Sequence, residues 1–123
     1  MKTTAGVSID VDPAVLDERA SAIAIALRLE TALAKSDGTI EHPAQSAWKG
    51  IFDTFLVAGG VKSFNAFMKA AQAIEVDQSA QRIIVTPTTN LGRSGGFEPM
   101  SDGAEHCPPD DYEAAAKAVV RFI

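Results

Sequence analysis

One cysteine, Cys107, stands among 123 residues. An internal disulfide is therefore excluded, and a reducing compartment is the simple expectation. No apolar run approaches the about 18 residues that a membrane-spanning helix needs. The opening stretch, MKTTAGVSIDVDP, holds one lysine and lacks the apolar centre of roughly seven or more residues that marks a secretory leader. A cytoplasmic protein without membrane association is expected. Positive charge is also scarce, with 11 Lys and Arg against 16 Asp and Glu, a net charge of −5. Direct binding to nucleic-acid phosphates needs clustered cations, so it is not expected. Two histidines and one cysteine do not supply the paired Cys and His spacings of a structural zinc site. The acidic residues lack the ligand spacing of a calcium loop. No metal and no cofactor are expected.

Hydrophobic residues make up 46% of the chain and charged residues 22%, which is globular composition rather than disordered or fibrous. The length suits one domain, since domains commonly run to about 100–150 residues. No internal repeat or long linker divides the chain, so residues 1–123 are expected to form a single domain.

Val7 and Ile9 alternate with polar neighbours in a short first strand over 4–10. Asp12 followed by Pro13 reads as a helix cap with proline in the first turn, and alanines favour a helix over 13–34. Leu16, Ile23 and Leu27 fall on one side of that helix and Ile25, Leu29 and Leu33 on another. A helix apolar over most of its circumference is expected to be buried. Residues 23, 25, 27 and 29 also alternate as a strand would; the alanines, the cap and the length favour helix.

Ser36-Asp37-Gly38 breaks this element and Pro43 opens the next. Trp48, Ile51, Phe52, Phe55 and Leu56 form an amphipathic helical stripe, closed by Gly59-Gly60. Ser63 caps a third helix with Phe64, Phe67, Met68 and Ala71 on one face. Helical periodicity of this kind indicates core packing rather than a cofactor slot. The period then shortens: 73–77 and 81–86 read as a β-hairpin, with Pro87 ending the second strand or placing it at an edge. Residues 88–96 form a loop and Phe97 starts a short strand. Asp110 or Asp111 caps a last helix whose stripe is Tyr112, Ala115, Ala116, Val119, Val120 and Ile123. The sum is an α+β domain, about four helices packed on a small antiparallel sheet that contains a central hairpin.

Three constellations invite a chemical reading. The glycine loop Asn90-Leu-Gly92-Arg93-Ser94-Gly95-Gly96 follows a strand, but it matches no phosphate-binding pattern and no helix opens behind it. Cys107 beside His106 suggests a thiol nucleophile, yet neighbours in sequence rarely face one another, and His42 lies in another segment. Six acids, Glu98, Asp102, Glu105, Asp110, Asp111 and Glu113, fall together with no Lys or Arg among them. Such a run is either a solvated loop and helix start or an acidic patch that meets a basic partner.

From Trp48 onward the order of segments resembles immunity proteins of bacterial contact-dependent growth inhibition systems. Trp48 lies in an aromatic helix. Gly60-Val61-Lys62-Ser63 leads to an F-x-x-F helix over Phe64 and Phe67, followed by Ile74-Glu75-Val76. Ile83-Ile84-Val85-Thr86-Pro87-Thr88 is the next strand, and the loop behind it ends Gly95-Gly96-Phe97-Glu98-Pro99. An alanine-rich helix then follows Pro109-Asp110-Asp111. The resemblance implies a cytoplasmic protein, not an enzyme, that binds and neutralises the C-terminal toxin domain of a partner polypeptide, often a nuclease. An acidic inhibitor suits a nuclease's basic surface. The resemblance carries over no catalytic and no interface residues. Glu98, Asp102, Glu105, Asp110, Asp111 and Glu113 are partner-binding candidates on charge clustering alone. The alternatives are a structural or adaptor homo-oligomeric module, which predicts an exposed apolar patch left by the first helix, and a small hydrolase.

Overall fold

The computed structural model describes residues 2–3, 15–16, 20–36, 39–40, 53–92 and 94–123. The expected strand over 4–10, the Asp12-Pro13 cap, the break at Asp37-Gly38, the helix start at Pro43 and the residues His42, Trp48, Ile51, Phe52 and Arg93 lie outside them. Among the described residues there are four helices, a four-stranded antiparallel sheet and a two-residue parallel bridge between β1 (Lys2–Thr3) and β2 (Thr39–Ile40).

Of residues 21–29, where helix and strand patterns compete, 22–29 are helix. α1 spans Ala22–Ser36 and starts where Ser21 Oγ accepts the Ala24 N–H at 3.2 Å. This corrects the expected start at Pro13, since Val15, Leu16 and Ala20 are outside the helix. A serine that satisfies one of the orphan amides of a first turn stops the helix there more effectively than alanine propensity extends it. α2 spans Asp53–Ala58 and closes with Gly60 at φ 68°. The Val61 N–H bonds Leu56 O and the Gly60 N–H bonds Val57 O, both at 3.1 Å, the paired bonds of a Schellman end. α3, Phe64–Ala70, is capped by Ser63, whose Oγ accepts from Ala66 N at 3.1 Å.

The expected hairpin forms, between β3 (Ile74–Gln78) and β4 (Ile83–Asn90), with Val76 opposite Val85. Its second strand runs on through residues 88–90, in place of the expected loop, because Thr88, Thr89 and Asn90 pair with Pro99, Glu98 and Phe97. Ser79 closes its turn, accepting from Gln81 and Arg82 amides through Oγ. β4 is the central strand. On its far edge β6 (Glu105–Cys107) pairs with its first half and β5 (Phe97–Pro99) with its second.

Pro87 therefore lies inside the central strand and is buried, which corrects its expected place at an end or edge. The physical reason is visible in the ladder. Pro87 O accepts the Met100 N–H at 2.9 Å, so the peptide groups of this residue face β5 and β6, and its missing donor falls on that edge. There the partner strand leaves the ladder, swinging out through a 3-10 turn at Ser101–Gly103 before returning as β6. A bulge opposite the proline removes the bond that proline cannot make.

α4, Tyr112–Phe122, lies across the sheet, capped by Asp111, whose Oδ1 accepts from Ala114 N at 3.0 Å. Two glutamines that bracket β3 hold its ends. Gln72 Nε2 donates to Phe122 O at 2.6 Å, and Gln78 Nε2 donates to Pro109 O at 2.7 Å and to the Tyr112 hydroxyl at 3.0 Å. α4 thus runs antiparallel to β3. Ile83, Val85, Cys107, Ala115 and Ala118 form the core between helix and sheet, joined by Leu29 of α1. α1 packs on α4.

Candidate functional site

The six candidate acids do not form one patch. Glu105 sits in β6 and is bound by Arg121 of α4, whose Nε donates to Oε1 at 3.0 Å while Nη2 bonds Oε2. That double hydrogen bond holds the Glu105 carboxyl below its ordinary value and pushes the Arg121 guanidinium up. Asp111 is spent as the α4 cap. Glu113, in the first turn of α4, pairs with Lys117 at 3.5 Å one turn on. These three residues have structural partners inside the chain.

Glu98, Asp102 and Asp110 are exposed, and among the described residues no ion pair involves them. Glu98 lies opposite Thr89 near the end of β4, and Asp102 follows in the bulge. Asp110 lines a depression with Gln78, Ser79, Ala80 and Pro109, at the end where Gln78 pairs with Ile83. The strand rise between positions 83 and 89 separates these two ends by about 20 Å. The run that is continuous in sequence is therefore divided between opposite ends of the sheet, and Asp110, Asp111 and Glu113 gather at the N-terminus of α4.

The thiol reading loses its chemistry here. Cys107 is a core residue, and burial pushes its thiol up, with the carboxylates of Glu105 and Asp111 adding to the effect. A nucleophile needs the thiolate, which such surroundings disfavour. His106, next along β6, is on the opposite face of the strand by alternation and meets Arg82 Nη1 through Nδ1 at 3.2 Å. The glycine loop is a β4–β5 turn that uses its own amides. Leu91 N donates to Gly96 O at 2.8 Å, Gly96 N and Gly95 N donate to Gly92 O, and Gly92 N donates to Asn90 Oδ1 at 2.8 Å. Gly92 and Gly96 hold φ of 83° and 66°, and a Cβ on Gly95 would come within 2.5 Å of Leu91 Cβ. Glycine serves closure of the turn, and these amides do not point outward as a phosphate cradle requires. Among the described residues no group of His, Cys, Asp and Glu is placed to hold a metal ion, and no helix is long and apolar enough to cross a membrane.

A different feature emerges on the helical side. Leu33 of α1 is buried, but Ile23 and Leu27 are 66% and 63% exposed. With Ala26, Glu30, Tyr112 and Glu113 they line a groove of about 110 Å³ between α1 and α4. That volume is below the roughly 300–1,000 Å³ of small-molecule sites and suits a single inserted side chain. The two-sided apolar pattern of residues 23–33 was the available signal: a sheet-packed helix layer covers one side of a helix, so a second apolar side is left in solvent. No known protein-family model matches this chain, and neither a curated protein nor a solved structure does.

Proposed function

We propose that this chain acts by binding a protein, as an immunity protein that neutralises a basic toxin domain, most simply a nuclease. The supporting observation is the fate of the polar groups. The acids Glu98, Asp102, Asp110, Asp111 and Glu113 all remain exposed on the surface, whereas the one thiol that chemistry could use is in the core. Exposed acids on a chain of net charge −5 favour encounter with a basic protein surface. The segments behind the resemblance to immunity proteins hold central places in the fold: Thr86-Pro87-Thr88 is the middle of β4, and Gly95-Gly96-Phe97 leads into β5.

The test is co-expression of the tagged protein with the C-terminal domain encoded by the gene immediately upstream. A salt-sensitive one-to-one complex, together with survival of cells that the domain alone kills, is the expected result. Absence of both complex and protection rejects the pairing. A second reading, a homo-oligomeric adaptor, is favoured by the exposure of Ile23 and Leu27 and is read out by sedimentation of the protein alone.

A further inference from the structure

Exposed large aliphatic side chains one turn apart beside a groove between two helices form a ready contact surface. Ile23 and Leu27 stand in that relation on α1, each about two-thirds exposed. With Tyr112 they line a groove that also carries Glu30 and Glu113. Ordinary fold stability does not call for this arrangement, because the inward side of α1 is already supplied by Leu29 and Leu33. An apolar floor with a charged rim is the build of a protein contact, in which a few apolar anchors carry the affinity and the rim sets orientation.

The rim indicates the occupant. Glu30 and Glu113 border the groove, and Asp110 and Asp111 immediately precede its Tyr112 wall. The nearby cation Lys117 is already paired with Glu113, and Arg28 follows Leu27 on α1. Two carboxylates on the rim of an apolar groove, Glu30 and Glu113, favour an apolar side chain flanked by Lys or Arg. They disfavour a second copy of this chain, which would bring Glu30 and Glu113 against the same residues of its partner. Resting on the protein-binding reading above, we infer that the α1–α4 groove is the docking surface, and that it receives an apolar side chain from a basic amphipathic segment of the partner protein. Glu98 of β5 and Asp102 of the bulge lie outside this contact.

The experiment measures the dissociation constant of the full-length protein and the partner domain by calorimetry at two salt concentrations. The double variant Ile23→Ala/Leu27→Ala removes exposed atoms, so the fold is retained, which circular dichroism checks. It is expected to weaken binding about 30-fold or more, as loss of a central anchor does. Glu30→Lys/Glu113→Lys is expected to weaken binding and to flatten its salt dependence. Glu98→Gln/Asp102→Asn is expected to stay within about 3-fold, the scale of a peripheral charge. A complex that forms unchanged in the Ile23/Leu27 variant overturns the groove while leaving the protein-binding reading intact.

If the upstream domain does not bind at all, that reading fails and the groove is tested by itself. The probe is then an amphipathic Leu/Lys helical peptide, titrated while amide shifts are followed by NMR. Saturable shifts at Ile23, Leu27 and Tyr112 that the alanine variant abolishes, and that a Leu/Glu peptide does not produce, sustain the groove. Shifts elsewhere, or none, overturn it. A dimer in sedimentation that the alanine variant dissolves assigns the face to a second copy and also overturns the inference.

Discussion

α1 and α4 are both alanine-rich, and they lie against each other, yet they treat their side chains in opposite ways. α4 buries three of its four alanines completely: Ala115, Ala116 and Ala118 are all at 0% exposure. α1 leaves two of its largest in solvent. The difference follows from position in the layers. α4 has the sheet beneath it and α1 upon it, and a helix covered on two sides must be thin at its contacts, which methyl groups allow. Among the described residues α1 packs chiefly on α4, and Ile23 and Leu27, on the flank that borders the groove, remain exposed. Burial here is decided by the number of covered faces, and composition alone is a poor guide to it.

Substitutions on the two sides of this contrast should differ by far more than their chemistry suggests. Ile83→Ala, beneath α4, leaves a cavity where no solvent enters and should cost about 3 kcal/mol in urea unfolding. Ala118→Leu tests the closeness of α4 to its neighbours. With no room for added methylenes it should cost about 2 kcal/mol, although leucine is nearly as good a helix former as alanine. Asp111→Ala removes the cap that starts α4 and should cost about 1 kcal/mol. Leu27→Ala, at the exposed edge of the α1–α4 groove, should stay within about 0.5 kcal/mol. A cost near that of Ile83→Ala would show that this flank of α1 is covered, and the contrast would collapse.

The smallest effect is expected from the exposed pair that ties α4 to β6. Arg121 holds the Glu105 carboxyl below its ordinary value of 4.5, so between the two values the unfolded chain binds more protons than the folded one. Its contribution is present above the ordinary value and is lost as the pH falls through the lower folded-state value. Unfolding midpoints of the protein and of Glu105→Gln should therefore differ slightly at pH 7 and converge as the solution is acidified below that value. A difference that persists in acid would mean that packing of the side chain, not the ion pair, is the source.

Local signals were read well. The Ser63 cap, the Gly60 helix end, the β3–β4 hairpin and the cap before Tyr112 each depend on a few adjacent residues whose hydrogen bonds close within one turn. The four-helix, antiparallel-sheet architecture was legible for the same reason, since apolar periodicity changes between 71 and 74. Pro87 was misplaced because its cost depends on the strand beside it. Its missing donor matters only if the partner keeps its register, and residues 101–103 leave the ladder at that point. β6 went unread because Glu-His-Cys has no strand pattern of its own and is held by Ile83 and Val85 across the sheet.

The candidate site shows the same division. The acids of 98–113 were visible as a run, but their grouping was not, because neighbours in sequence are carried to opposite ends of β4 by one strand. Glu105 looked like its five companions until Arg121, sixteen residues away, was brought to it.

By itself the sequence determined the four helical segments, the β3–β4 hairpin, the caps of α3 and α4, the acidic balance and the lack of an internal disulfide, because each depends on residue chemistry within a turn or on simple counting. Tertiary structure alone decided which of two apolar faces of α1 is buried, how a proline lies inside a central strand and which acids remain available to a partner. Those outcomes depend on the distance between groups far apart in the chain, and only packing sets that distance.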